Sequence, residues 1–200
     1  VFFENGSKLQ IIERNAFEYT SIDHITIPSS VCELKKGWCS DRFSLKRVTI
    51  MPNNQYYKNI GNLVVGKSDI RSDEYDVLVF VNRDVETITI PQNIKILESY
   101  SFASSIIEDI FIPSNVTRIN EGCFLFCSKL QSIEFSPNSE LKIIECKAFS
   151  NTSINNISIP PHVNQISESA FFFCNNLNKI EIPVNSELQV IEKNAFAFSS

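Results

Sequence analysis

The chain has 200 residues, 43% of them apolar, which is enough to bury a continuous core. No apolar run reaches the roughly 18–20 residues that cross a bilayer as a helix, so no membrane insertion is expected within this segment. The formal charge is −5 with a pI near 5.1, acidic and basic residues are interspersed, and no basic stripe is present, which excludes duplex nucleic acid as a partner.

One stretch organises everything else. Residues 112–130, Ile-Pro-Ser-Asn-Val-Thr-Arg-Ile-Asn-Glu-Gly-Cys-Phe-Leu-Phe-Cys-Ser-Lys-Leu, return 47 residues later as residues 159–177, Ile-Pro-Pro-His-Val-Asn-Gln-Ile-Ser-Glu-Ser-Ala-Phe-Phe-Phe-Cys-Asn-Asn-Leu. Self-similarity at a fixed period marks a repeat solenoid, which grows by stacking coils rather than by enlarging one core. Every repeat follows one apolar grammar. An apolar residue opens it, two aliphatics follow three and five places on and are usually closed by Pro, then come two aliphatics three apart, and a Phe five residues further on.

The chain enters mid-repeat with Val1 and Phe3 as the alternating pair, Leu9 and Ile12, then Phe17. The second repeat carries Ile25, Ile27, Pro28, Val31 and Leu34, and ends with Trp38-Cys39 in place of the usual Ala-Phe. The third begins at Leu45, Val48 and Ile50, and is then interrupted by an insertion over residues 53–84. Within it, apolar runs at 63–65 and 77–81 flank the polar stretch 67–76, which reads as a β-hairpin with a long, mobile tip. The grammar resumes at Val85, Ile88 and Ile90. It runs through rings at Phe102, Phe124, Phe149, Phe171 and Phe196, giving about eight coils of 22–24 residues. The chain reads as one solenoid, α/β or mostly β, and as a segment of a longer array.

The physical logic is simple. Ile-x-Ile has period two, so both side chains enter the core from a short strand while the residue between them points out. Pro ends the strand because it cannot donate the next ladder bond. The aliphatics three apart form a second wall, and Ala-Phe closes the coil with a ring. Coils alternate between an Ile-Pro-x-x-Val form and a longer Asn-Ser-Glu-Leu form (residues 138–141 and 185–188), so the true period is a pair.

Leu-x-x-Ile-x-Ile-Pro (177–183), Val-x-x-Ile (163–166), Ala170-Phe171 and Cys174 together resemble the BspA-type leucine-rich repeat of surface proteins from anaerobic bacteria and mucosal protozoan parasites. Pro-Asn-Asn-x-Tyr-Tyr (52–57), leading into Gly-x-Leu-x-Val, resembles the hairpin that interrupts such arrays. The resemblance implies a right-handed leucine-rich-repeat arc with a parallel β-sheet on its concave face. It also implies adhesion to host matrix or cell-surface proteins, and a place at the cell surface or in the secreted fraction.

Little points to catalysis, metal or cofactor. His24 and His162 lie several coils apart, Cys123 and Cys127 fit the apolar grammar, and five Gly give no phosphate-cradling loop. Cys127 and Cys174 hold the same place two coils apart, roughly 10 Å, beyond disulfide reach. The six cysteines therefore read as free, buried small hydrophobes that leave the compartment open. The acidic column Glu13, Glu98, Glu121, Glu145, Glu168 and Glu192 reads as support for the tight turns. Sequons at Asn5, Asn115, Asn151 and Asn156 match what this composition gives by chance.

Binding candidates follow from alternation. Outward positions on the Ile-x-Ile strands are His24 and Thr26, Arg47 and Thr49, Thr87 and Thr89, Asp109 and Phe111, Ser132 and Glu134, Asn156 and Ser158, Lys179 and Glu181. Phe111 is the exposed aromatic among them and the natural anchor for a protein ligand. The inserted tip, with Arg71, Asp73, Glu74 and Tyr75, is a second candidate. The column Ile11, Ile96, Ile143 and Val190 is a third, an apolar stripe able to dimerise if it faces outward. An intracellular scaffold binding a cytosolic partner is the alternative reading.

Overall fold

The computed structural model describes residues 3, 6–40 and 44–199; Val1 of the opening pair and the Asn5 sequon lie outside them. The described residues form a mostly β solenoid of about eight coils with no helix. The Ile-x-Ile segments form β2 (His24–Ile27), β4 (Arg47–Ile50), β9 (Asp109–Ile112), β11 (Ser132–Phe135), β13 (Asn156–Ser158) and β15 (Lys179–Glu181). Their burial alternates as period two demands: Ile25, Ile27, Ile110, Ile112 and Ile157 are buried while their neighbours face out.

The expected uninterrupted sheet on this face is instead three parallel pairs, β2–β4, β9–β11 and β13–β15. The break after β4 has a clear cause. Asn59 places its amide on the free edge of β4, accepting from Ile50 N–H at 2.7 Å and donating to the Val48 carbonyl at 3.0 Å. A side-chain amide thus saturates groups that the next coil would have paired. Residues 85–90, which follow, adopt no strand.

The longest sheet is on the second wall. The two-residue strands β8 (Ile96–Leu97), β10 (Arg118–Ile119), β12 (Ile143–Ile144), β14 (Gln165–Ile166) and β16 (Val190–Ile191) pair in parallel and in step. Earlier in the chain, β1 (Ile11–Ile12) and β3 (Glu33–Leu34) pair likewise. The insertion joins this wall as a three-stranded meander: β5 (Tyr57–Ile60), β6 (Leu63–Gly66) and β7 (Val77–Val81), with β7 parallel to β8. It is more than a surface hairpin. Strands β6 and β7 are buried throughout and divide the core. Leu63, Val65, Leu78 and Val81 pack on the later coils, whereas Val64, Val77, Val79 and Phe80 pack on the earlier ones. The register shifts between Val64 and Val65, so that two consecutive residues, Val79 and Phe80, face the same way, as a β-bulge permits. Phe80 meets Trp38 at 6.0 Å and supplies an aromatic ring to the coil that lacks its own Ala-Phe turn.

The tip of the meander is folded back on buried Asp76. Its carboxylate accepts from Ser68 N–H (2.9 Å) and Oγ–H (2.7 Å) and lies 3.4 Å from Lys95 Nζ. Burial alone would push this carboxyl's pKa up; the Ser68 bonds and Lys95 outweigh it and hold the pKa below the usual range. A lowered folded-state pKa adds stability above the unfolded value, about pH 4, that is lost as pH falls through the folded value. Asp76→Asn is expected to cost about 1–3 kcal/mol at neutral pH. In denaturant titrations the gap between variant and parent should close toward pH 2; a gap that is the same at both pH values would contradict this role for the charge.

The five later turns close their coils on one plan. Phe102, Phe124, Phe149, Phe171 and Phe196 form a continuous stack with centroids 4.6–5.1 Å apart. Two residues around each ring, at positions two before and two after it, hold left-handed backbone: Tyr100 and Ser104, Gly122 and Phe126, Lys147 and Asn151, Ser169 and Phe173, Asn194 and Phe198. Hydrogen bonding makes this tolerable. In the turn at residues 98–105, N–H groups alternate between bonds within the turn (Ser101 to Glu98, Ala103 to Tyr100, Ser105 to Phe102) and bonds to the next coil (Tyr100 to Glu121, Phe102 to Cys123, Ser104 to Leu125). No donor is wasted, which offsets the strain.

The position three beyond the ring is Thr20, Ser105, Cys127, Thr152, Cys174 or Ser199, always a hydroxyl or thiol. Cys127 Sγ donates to the Phe102 carbonyl at 3.1 Å and touches Ser105 Oγ at 3.3 Å; Cys174 repeats this with Phe149 and Thr152. The recurring Cys is therefore a hydrogen-bond donor as well as a small hydrophobe.

Candidate protein-binding face

Of the candidates for binding, Phe111, Asp109, Glu134, Arg47, Thr87 and Thr89 lie on or beside the Ile-x-Ile face. Phe111 on β9 is 42% exposed and sits in register with Glu134 of β11; Asp109, exposed, lies opposite Ser132. Lys179 and Glu181 on β15 pair with each other at 2.6 Å. Phe111 thus lies beside the carboxylates of Asp109 and Glu134 on the β9–β11 pair. Arg47 on β4 is held by Asp84 at 2.7 Å, and His24 Nε2 lies 3.2 Å from Thr49 Oγ1. Thr87 and Thr89 are exposed as expected, but on the strandless segment 85–90 rather than on a strand, because the Asn59 cap ends the ladder before it.

Arg71 and Tyr75 lie on the insertion, away from Phe111 in sequence. Arg71 forks onto Asp69 at 3.2 Å through both Nε and Nη2. Tyr75 is half-buried, packs on the core and carries Lys58 and Lys67 over its ring at 4.0 and 5.0 Å. Both side chains have partners within the insertion, so neither is presented in the way Phe111 is.

The column Ile11, Ile96, Ile143 and Val190 does face outward, with Ile11 and Val190 exposed and the other two half-buried. Register breaks it up: Glu33 stands opposite Ile11, and Arg118 and Gln165 alternate with Ile96, Ile143 and Val190. Single apolar residues among polar ones are ordinary surface.

The acidic column serves the turns. A Glu145 carboxylate oxygen accepts from Glu121 N–H at 3.1 Å, and Glu192 does the same for Glu168 at 2.8 Å. Glu121 and Glu145 also hold Lys36 at 3.4 Å, tying the second coil to later coils across the insertion. His162 bonds Glu187 at 2.9 Å, coils away from His24. Burial raises the Cys127 thiol to about 11, so at neutral pH it donates hydrogen bonds and is a poor nucleophile. Among the described residues no group of three or more His, Cys, Asp or Glu converges to hold a metal. No helix among them is long and apolar enough to cross a membrane.

Short strands, a second aliphatic wall and a ring-closed turn, repeated coil after coil, define a leucine-rich-repeat solenoid. The chain belongs to the family of the BspA type leucine rich repeat region, six copies of which match residues 2–72, 76–142 and 137–200. It is similar to a leucine rich cell surface protein of Faecalibacterium prausnitzii A2-165, with 27% identity over 96% of this chain and 55% of that one and a TM-score of 0.78. The pneumococcal vaccine antigen PcpA shares the fold at 22% identity, over 99% of this chain and 50% of that one, with a TM-score of 0.78. A leucine-rich repeat protein of Eubacterium ventriosum ATCC 27560 does so at 20% identity, over 98% and 64%, with a TM-score of 0.59. The chain spans about half the length of the first two. No curated protein matches it.

Proposed function

We propose that the chain is a non-enzymatic protein-recognition module displayed at a cell surface, engaging a host matrix or cell-surface protein through the face of its Ile-x-Ile strands. The observation that carries this reading is Phe111, a large ring 42% exposed on an otherwise polar face. Exposed aromatics near the centre of a flat surface are the usual anchors of protein interfaces, and solenoid sheets are their usual platform. Flanking Asp109 and Glu134 suit a partner that brings a basic residue beside an apolar one. Family membership and the F. prausnitzii surface protein support the location. The competing intracellular scaffold draws support from six free thiols.

The test is binding of the purified chain to a panel of immobilised matrix proteins and to host cells. Phe111→Ala is expected to weaken binding at least about tenfold and to leave thermal stability within about 2 °C. Unchanged affinity would remove Phe111 from the interface, and a large loss of stability would mean that the ring serves the fold instead.

A further inference from the structure

A second surface runs along the turn edge, on a different side of the coil from the strand face. Two residues beyond the core ring, every described turn places a left-handed residue whose side chain projects outward: Tyr19, Ser104, Phe126, Asn151, Phe173 and Phe198, with φ between 56° and 59°. Asn tolerates this backbone cheaply and an aromatic residue does not. Strain held by large, solvent-facing rings is a mark of function, since the fold gains little from them. Phe173 is 40% exposed and Phe198 67%.

The rings are also fixed in place. Phe173 stacks on Phe198 at 4.9 Å with planes 10° apart, and Phe172 meets both edge-on at 4.6 and 5.4 Å. Between the rungs of Phe126 and Phe173 stands Asn151, where a small side chain replaces a ring. The result is a cleft of about 310 Å³ that Phe126, Ser128, Asn151, Phe173, Asn175 and Asn176 line. With one coil for each step of about 5 Å, its aromatic walls stand about 10 Å apart. No residue lining the cleft carries a charge.

The geometry points to this cleft as a binding site for a neutral oligosaccharide, with one pyranose ring between Phe126 and Phe173 and its hydroxyls on the carboxamides of Asn151, Asn175 and Asn176. A pyranose offers apolar C–H faces to aromatic walls and a rim of hydroxyls that both donate and accept. Carboxamides match that rim because each supplies both functions. Each carboxamide carries two N–H donors and two acceptor lone pairs, so the one bond that Asn151 gives to Ser150 (2.9 Å) leaves capacity for a hydroxylated ligand that a purely apolar one would not use, and a charged one would find no counter-charge. An open cleft of this size sets the expected affinity at about 1 mM. The site is independent of the strand face and of any partner bound there.

The test titrates maltotriose, cellotriose and tri-N-acetylchitotriose, each to about 10 mM, into the isotope-labelled chain and follows the side-chain amide signals of Asn151, Asn175 and Asn176 by NMR. At least one sugar is expected to shift them saturably. Phe126→Asn and Phe173→Asn should each weaken binding at least tenfold, Asn being the residue that this turn position already carries in the coil between. Asn151→Phe removes no wall and fills the cleft, so it should abolish binding with the fold intact, while Phe111→Ala should have no effect. The assignment is overturned if none of the three sugars binds, if binding survives Asn151→Phe, or if a proline-rich peptide shifts these amides when the sugars do not.

Discussion

Phe124→Ala is expected to destabilise the chain by about 3–5 kcal/mol, the cost of truncating a fully buried aromatic ring. Phe124 has no solvent exposure and is stacked from both sides, on Phe102 at 4.6 Å and on Phe149 at 5.1 Å. The ring lies between those of the coils before and after it, so the hole would weaken two interfaces at once. The cavity could not collapse easily either, because the turn around the ring is fixed by hydrogen bonds to the next coil, Gly122 to Cys146, Phe124 to Ala148 and Phe126 to Ser150. Denaturant unfolding followed by circular dichroism measures the loss, and Phe171→Ala, at the same place two coils on, should behave alike. A loss under about 1 kcal/mol would mean that the ring stack is not what holds the coils together.

Gly122→Ala should cost about 2–4 kcal/mol, for two separable reasons. Gly122 has φ +59°, and an added Cβ would lie 2.6 Å from Tyr100 Cε1. Left-handed backbone costs a non-glycine residue roughly 1–2 kcal/mol, yet Lys147, Ser169 and Asn194 accept it at the equivalent position. What sets Gly122 apart is the Tyr100 ring lying over it, held by its hydroxyl donating to Glu121 at 3.0 Å. Overpacking of this kind adds about 1–3 kcal/mol. A double-mutant cycle separates the two: in a Tyr100→Ala background, Gly122→Ala should cost about 1–2 kcal/mol less. An equal cost in both backgrounds would assign the whole effect to the backbone and none to the ring.

Much of this architecture is legible in the sequence because stacking repeats each constraint. The inward Ile pairs, the second aliphatic wall and the ring column recur at fixed offsets, and the structure buries Ile110, Ile119 and Phe124 where those offsets place them. Where Trp38-Cys39 departs from Ala-Phe, Trp38 is buried and meets Phe17 edge-on at 6.4 Å. The outward exposure of Phe111 follows from the same alternation.

What escapes a reading of the sequence is whatever occurs once or leaves no compositional mark. The insertion was legible as two apolar runs, but their lack of alternation, Leu-Val-Val and Val-Leu-Val-Phe-Val, is the signature of strands buried on both faces. It signals a partition through the core rather than a hairpin upon it. The edge of β4 is capped by Asn59, nine residues downstream of Ile50, and no local pattern marks one amide as a strand substitute. The left-handed turns are hidden because residues such as Lys147 and Tyr100 hold a backbone that glycine would ordinarily announce. The turn-edge aromatics did leave a trace, in Phe124-x-Phe126, Phe171-x-Phe173 and Phe196-x-Phe198. Alternation assigns the second ring of each pair to the core; left-handed backbone turns it outward.

The proposed recognition of host proteins by the strand face requires that face to meet the outside of the cell. The most direct measurement is protease shaving and antibody labelling of intact, unpermeabilised cells expressing the full-length protein. The surface-module reading expects labelling of the intact cells and its loss on shaving. Labelling that appears only after permeabilisation would contradict it and direct the search for partners to the cytosol.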